Sequence, residues 1–138
     1  MNTVNFWAIL VAAAVAFVIG AIWYSPILFG KEYMSLIGVS DKDVAAAQAK
    51  GGMWKLYLTQ LILAIITFGV LGFIITAASS VTASDGAFMG FLVWLGFEAT
   101  VIVGGYLWEK KPMKLVVIQA TCSLLTLVIG GAILGVWH

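Results

Sequence analysis

The sequence has very few charged side chains. Only 9% of its 138 residues are charged, whereas an ordinary soluble domain has about 25%. Seven basic and six acidic residues leave a net charge of +1. This balance provides no broad basic face, so we expect no nucleic-acid partner.

Cysteine and histidine each occur once, as Cys122 and His138. A single cysteine excludes an intramolecular disulfide, and no CxxC motif or Cys/His cluster provides metal ligands. The acidic residues also form no His/Asp/Glu cluster of the kind that active sites use. We therefore expect no metal, no cofactor and no enzymatic activity.

Apolar residues, in contrast, make up 63% of the chain. A helix that crosses a membrane needs about 20 mostly apolar residues. Four segments meet this requirement, namely 4–24, 54–78, 85–108 and 112–137. The sequence therefore predicts an all-α membrane protein, with one transmembrane domain over 1–138 built as a four-helix bundle.

All basic side chains are lysines, and they occur in two short stretches. They are Lys31, Lys42, Lys50 and Lys55 around the first loop, and Lys110, Lys111 and Lys114 around the third. Cytoplasmic loops retain an excess of lysine and arginine. We therefore predict that loops one and three are cytoplasmic and that both termini lie outside the cytoplasm.

The first loop, about 25–53, is the only segment with a soluble composition. Ser40 is followed three residues later by Asp43, which is the spacing of a helix-capping box. The alanine-rich stretch that follows favours a helix, and Gly51-Gly52 is a typical helix end. A short amphipathic or capped helix is expected here, on the cytoplasmic side between spans 1 and 2.

One acid lies inside an apolar span. Glu98 is ten residues before Trp108, which places it roughly 15 Å deep in a hydrocarbon core about 30 Å thick. An ionisable group at this depth is a candidate functional site by default. Gln60 and Gln119 lie at similar depths in the second and fourth spans. The three side chains form either a proton-binding or ligand-binding site, or a structural contact that fixes the helix register.

Small residues recur at four-residue spacing in three of the spans. Such stripes let two helix backbones approach closely. The candidate packing residues are Ala12, Ala16 and Gly20 in the first span, Gly86 and Gly90 in the third, and Gly131 and Gly135 in the fourth. They serve either packing within one bundle or a contact between two copies, so a homodimer is one of the alternatives.

Aromatic residues mark the ends of several spans. Trp and Tyr favour the headgroup level because one edge of the ring is apolar and the other polar, and lysine places its charge there by snorkelling. The expected anchors in membrane lipid are Trp23, Tyr24, Lys31, Trp54 and Trp108. Pro26 is expected to end or bend the first helix.

A distinctive motif closes the first span and continues into the loop. It reads Trp23-Tyr24-Ser25-Pro26-Ile27-Leu28-Phe29-Gly30-Lys31, then Gly38-Val39-Ser40-Asp41, then Gly51-Gly52-Met53. Together with three further spans and an acid in the third, it resembles the bacterial membrane-protein family catalogued as domain of unknown function 1761. The resemblance covers nearly the whole chain and implies a four-span protein of the bacterial inner membrane. It implies no activity and no site residue.

Two functions are compatible with these features. The first is a structural or accessory membrane protein that self-associates and performs no chemistry. The second is a minimal proton-coupled transporter or channel that acts as an oligomer through Glu98. A wet cavity around Glu98 favours the second function, whereas a dry helix contact favours the first. No small-molecule ligand can be named from the sequence.

Overall fold

The computed structural model describes residues 5–25, 27–38, 40–51, 53–79 and 82–137. Within these ranges all regular secondary structure is helical, and four helices are long and apolar enough to cross a membrane. The expected all-α, four-span architecture is therefore confirmed. The roles predicted for Pro26 and Gly52, and a first span that begins at residue 4, lie outside the described ranges.

The helices follow the predicted spans closely. In chain order they are α1 (Phe6–Trp23), α2 (Gly30–Ile37), α3 (Asp41–Ala49), α4 (Met53–Ala77), α5 (Ala83–Val93), a π-helical segment (Trp94–Ala99), α6 (Thr100–Glu109) and α7 (Met113–Val136). The elements α5, π segment and α6 form one continuous helix, called here the third span. The bounds of α1, α4, the third span and α7 differ from the predicted ones by at most two residues.

Side chains before the first turn explain where several helices begin. The Asn5 Oδ1 atom accepts backbone N–H bonds of 2.9 and 3.4 Å from the first turn of α1. Ser40 and Asp43 form the predicted capping box, with Ser40 N–H donating to Asp43 Oδ2 at 2.9 Å and Asp43 N–H donating to Ser40 Oγ at 3.3 Å. Thr82 Oγ1 accepts from Asp85 N–H at 3.1 Å. This cap explains why α5 begins two residues before the predicted bound.

The closest helix contact joins α5 to α7 through Gly86, Gly90, Gly131 and Gly135, called here the glycine seam. A Cβ atom on Gly86 would meet the carbonyl oxygen of Gly131, and a Cβ atom on Gly131 would meet that of Gly86. The two GxxxG motifs therefore pack against each other within one chain. Only glycine allows the two backbones to approach so closely.

The apolar core lies in the same half of the bundle as the glycine seam. Ala8 and Ala12 of α1 have no exposed surface, and Leu71 and Ile75 of α4 are 1% exposed. Earlier in α4, the Phe68 ring lies where a Cβ atom on Gly130 of α7 would stand. Close packing therefore joins all four spanning helices in this half.

The other half, called here the lysine-rich end, is packed more loosely. It contains α2, which an ion pair of 3.2 Å between Glu32 and Lys114 holds against the start of α7. Residues 54–60 of α4 are all exposed, whichever face of the helix they occupy. Helix α4 contacts α1 and α7 and touches the third span mainly through α5. The bundle therefore opens between α4 and the third span toward the lysine-rich end.

Candidate functional site

This opening contains a cavity of about 680 Å³, bounded by α1, α4, the third span and α7. Tyr33 of α2 lines it at the lysine-rich end, and Phe68 and Leu127 of the apolar core line it at the other. The cavity is not enclosed, because Tyr57 and Leu63 in its α4 wall are 54% and 51% exposed. Its volume lies within the range of about 300–1,000 Å³ that is typical of small-molecule sites.

The three polar residues selected from the sequence all line this cavity. Gln60 and Gln119 lie roughly 10 Å from the lysine-rich ends of α4 and α7, and Glu98 lies in the middle of the third span. Glu98 and Gln119 are half-buried, and Gln60 is exposed. The cavity thus brings together three side chains that the sequence placed only at similar depths on separate helices.

Glu98 differs from the other residues that line the cavity. Among the described residues it is the only charged one, and the only one that the third span contributes. Two ion pairs occur among the described residues, Lys111–Glu109 at 3.0 Å and Lys114–Glu32 at 3.2 Å. Neither pair includes a residue that lines the cavity. No described cationic side chain lies within 4.0 Å of the Glu98 carboxyl group. An unpaired carboxyl group inside an apolar span is therefore a candidate binding site for a proton or a cation.

The backbone around Glu98 is π-helical, which sequence reasoning missed. Such segments are rare in α-helices and are frequent at functional sites. The Trp94 indole N–H donates to the Ala120 carbonyl oxygen and to Ser123 Oγ, both at 3.0 Å, and so attaches the segment to α7. Gly96 is the only sequence signal, because glycine weakens a helix interior.

Aromatic rings from three elements line the cavity. The Tyr24 and Tyr33 ring centroids are 4.7 Å apart, and those of Phe17 and Tyr57 are 6.2 Å apart. Burial, with smaller contributions from Cys122 and Tyr33, raises the pKa of Tyr24 above its ordinary value. The Tyr24 phenol therefore stays protonated and neutral. Tyr24, which is also a predicted interface anchor, lies in the cavity wall.

Hydroxyl groups complete the polar part of the lining. Thr67 Oγ1 donates to the Leu63 carbonyl oxygen and Thr126 Oγ1 to that of Ser123, both at 2.9 Å. The Ser123 hydroxyl donates to the Ala120 carbonyl oxygen at 3.0 Å. Because their hydrogen atoms are already engaged, these hydroxyl oxygens can only accept hydrogen bonds from a bound molecule.

The small-residue stripe of α1 divides between the core and the cavity. Ala12 has no exposed surface and belongs to the core, whereas Ala16 and Gly20 line the cavity. A Cβ atom on Gly20 would meet no described atom within 4 Å. The end of this stripe therefore borders open space rather than another helix.

The residues predicted as interface anchors fall into two groups. The exposed ones are Trp54 at 60%, Trp108 at 89%, and Lys31. Trp23 is half-buried, and its indole N–H donates to the Ile118 carbonyl oxygen at 3.0 Å. This hydrogen bond attaches the end of α1 to α7.

The cavity lining provides groups that can bind an organic molecule. In the part of the chain that the structure describes, no three His, Cys, Asp or Glu side chains lie close enough to hold a metal ion. The cavity instead provides one carboxyl group, two amides, hydroxyl acceptors and aromatic faces. Such a mixture of apolar walls with a few polar groups is typical of small-molecule sites.

Neither the comparison with curated proteins nor the comparison with solved structures found a match to this chain. The profile of one protein family matches residues 7–135. The matched residues include most of all four spanning helices and the whole cavity lining. The chain therefore belongs to the family described as "Protein of unknown function (DUF1761)".

Proposed function

We propose that this protein is a multi-pass membrane transporter in which Glu98 exchanges a proton for a small molecule. The observation that carries the proposal is the shared cavity of Glu98, Gln60 and Gln119. A structural hydrogen bond that fixes helix register would need only a dry contact between these side chains. It would not need a space large enough for a ligand.

The free-energy cost of a charged Glu98 couples proton binding to ligand binding. A charged carboxylate at the centre of a membrane helix costs about 2.5–3.5 kcal/mol or more. A proton removes this cost when the cavity is empty, and a suitable ligand removes it when bound. Proton and ligand therefore compete for one group, which is the minimum requirement for coupled exchange. A lone carboxyl group suits such binding better than acid–base catalysis, which usually uses a pair of titratable groups.

The two halves of the bundle suit alternating access. The cavity reaches the lysine-rich end, while the glycine seam and the apolar core close the opposite end. We propose that transport opens the seam and closes the cavity at Tyr24 and Tyr33. Packed helices commonly change state by small sliding movements, and a glycine contact has no long side chains that would interlock.

We also propose that the lysine-rich end faces the cytoplasm of a bacterial cell and that both termini lie outside it. The lysine distribution supports this orientation, since positive charge resists transfer across the inner membrane. In this orientation the cavity is open toward the cytoplasm.

Thiol labelling tests the function and the orientation together. In a Cys122→Ser background, Gly20→Cys places a thiol in the cavity, where its Cβ atom meets no described atom within 4 Å. We expect a membrane-impermeant thiol reagent to modify it rapidly from the cytoplasmic side and more slowly from the outside. The matched control is Gly69→Cys, which also has open space around Cβ but does not line the cavity. It should remain unmodified.

Ser84→Cys serves as the marker for sidedness, because Ser84 is exposed near the start of α5 at the opposite end. It should react only from outside the cell. A Gly20→Cys thiol that is inert from both sides would contradict a transport site. Labelling of Ser84→Cys from the cytoplasmic side alone would reverse the proposed orientation.

Self-association is a second role, favoured by the exposed first half of α4. Residues 54–60 are exposed on every face of the helix, and part of this stretch forms the open wall of the cavity. We propose a homodimer in which α4 of a second copy covers this wall. The mass of the protein in lipid nanodiscs should then be twice that of one chain, and a monomeric mass at every protein concentration would contradict it.

A further inference from the structure

We infer that the small molecule bound in the cavity is an organic cation with an apolar body, an inference that rests on the proposed function. The charge of the cavity lining favours a cation. Glu98 is the only charged residue of the described lining. An anionic ligand would bring a second negative charge beside Glu98 with no described cation in the lining to compensate it, and burial of unpaired charge is strongly unfavourable. A cation would instead neutralise the carboxylate.

The direction of the hydrogen bonds also favours a cation. The hydroxyl groups of Thr67 and Thr126 donate to backbone carbonyl oxygens and present their lone pairs as acceptors. Ser123 Oγ donates in the same way and already accepts from the Trp94 indole, so it has one lone pair left. Acceptors favour a ligand that is positively charged or that carries N–H groups. Gln60 and Gln119 can turn either their oxygen or their nitrogen toward the ligand, so they do not oppose this preference.

The aromatic rings that line the cavity also favour a cation. A cation is attracted to the face of an aromatic ring within about 6 Å of its centroid, most strongly where water is excluded. Tyr24 and Tyr33 form one such pair beside the cavity, and Phe17 and Tyr57 form another. Because the phenol of Tyr24 is neutral, its ring attracts a cation through its face and adds no charge of its own.

The size of the cavity also bears on the ligand. A space of about 680 Å³ is far larger than an inorganic ion requires. One end of the cavity is apolar and is formed by Phe68, Leu127 and Ala64. Contact with this surface stabilises a complex when the ligand surface that it buries is also apolar. These features together favour a cation with a sizeable hydrocarbon part.

Two probes of equal shape and opposite charge test this inference. Tetraphenylphosphonium and tetraphenylborate both carry four phenyl groups around one centre, but the first is a cation and the second an anion. We expect equilibrium dialysis of the full chain in neutral detergent to detect saturable binding of the phosphonium and none of the borate. Protein-free micelles give the partition of each probe into detergent. Equal binding of the two ions, or binding of the borate alone, would overturn the inference.

Substitutions at the cavity locate the site. We expect Glu98→Gln to weaken phosphonium binding at least about thirtyfold, because a desolvated charge pair is lost. The matched control is Glu109→Gln, which makes the same change in the same span outside the lining and should bind as the unmodified protein does. Tyr57→Leu should weaken binding about threefold to tenfold, since it removes one aromatic face. Unchanged binding in Glu98→Gln would overturn the inference.

The pH dependence of binding needs no variant and so stands even if Glu98→Gln fails to fold. A proton and the cation compete for the Glu98 carboxylate in the proposed exchange, so phosphonium binding should weaken as the pH falls. The other titratable groups that line the cavity are Tyr24, Tyr33, Tyr57 and Cys122, and all of them are neutral when protonated. Glu98→Asp keeps the charge and should retain most of the affinity. Binding that does not weaken in acid would contradict the inference.

The outcomes distinguish the two proposals. If Gly20→Cys is labelled but phosphonium does not bind, the cavity remains a site and the ligand class is wrong. If Gly20→Cys is inert and phosphonium does not bind, the proposed transport function fails as well.

Discussion

Replacement of Gly86 by leucine is expected to destabilise the bundle by about 3 kcal/mol or more. A Cβ atom at this position would meet the carbonyl oxygen of Gly131 and lie 2.9 Å from the Cα atom of Gly135. These obstacles are backbone atoms, which cannot rotate aside as the end of a side chain can. The helices α5 and α7 would have to separate, and the contacts of the seam would be lost. Reversible denaturant unfolding in mixed micelles measures the change.

Gly69→Leu provides the matched control, because a Cβ atom on Gly69 meets no described atom within 4 Å. Glycine in a helix interior is about 1 kcal/mol less favourable than alanine, so this substitution should leave stability unchanged or slightly higher. If Gly86→Leu and Gly69→Leu have equal effects, α5 and α7 do not form the close contact described above.

Gly20→Trp is expected to abolish ligand binding without unfolding the protein. Gly20 lines the cavity, and open space surrounds the position of its Cβ atom. An indole ring placed there would occupy much of the space that a ligand needs. We expect the affinity for tetraphenylphosphonium to fall by about a hundredfold or more, which is the loss of about 2.7 kcal/mol. The free energy of unfolding should change little, because the Cβ atom has open space around it and the ring can extend into the cavity.

The control for this prediction is Gly69→Trp, which adds the same side chain to α4 outside the cavity lining. It should bind tetraphenylphosphonium as the unmodified protein does. Unchanged binding in Gly20→Trp would show that the ligand site lies elsewhere in the molecule. Unfolding of Gly20→Trp but not Gly69→Trp would show that the space beside Gly20 is filled in solution.

The features that follow from local sequence could be predicted. Span bounds depend on the length of apolar runs, and the depth of Gln60, Glu98 and Gln119 follows from a rise of 1.5 Å per residue. Gly86 and Gly131 begin motifs that have the spacing of a close helix contact. The sequence did not show whether the contacting helix belongs to the same chain or to a second copy. The structure pairs them within one chain.

The remaining features depend on how helices pack, which one sequence does not state. The cavity exists because α4 meets the third span mainly near one end, and no local pattern encodes that divergence. The π segment around Glu98 is attached by Trp94 to Ala120, which is 26 residues away in the chain. The hydrogen bond from the Trp23 indole N–H to α7 likewise joins distant parts of the chain, and the sequence alone does not predict it.

Proton release on ligand binding is the most direct test of whether Glu98 exchanges a proton for an organic cation. Tetraphenylphosphonium is added to the protein in weakly buffered detergent solution with a pH indicator, at a series of pH values. We expect exchange to release about one proton for each cation bound at the pH of maximal release, and none from Glu98→Gln. Binding without proton release, or equal release from Glu98→Gln and the unmodified protein, would contradict it.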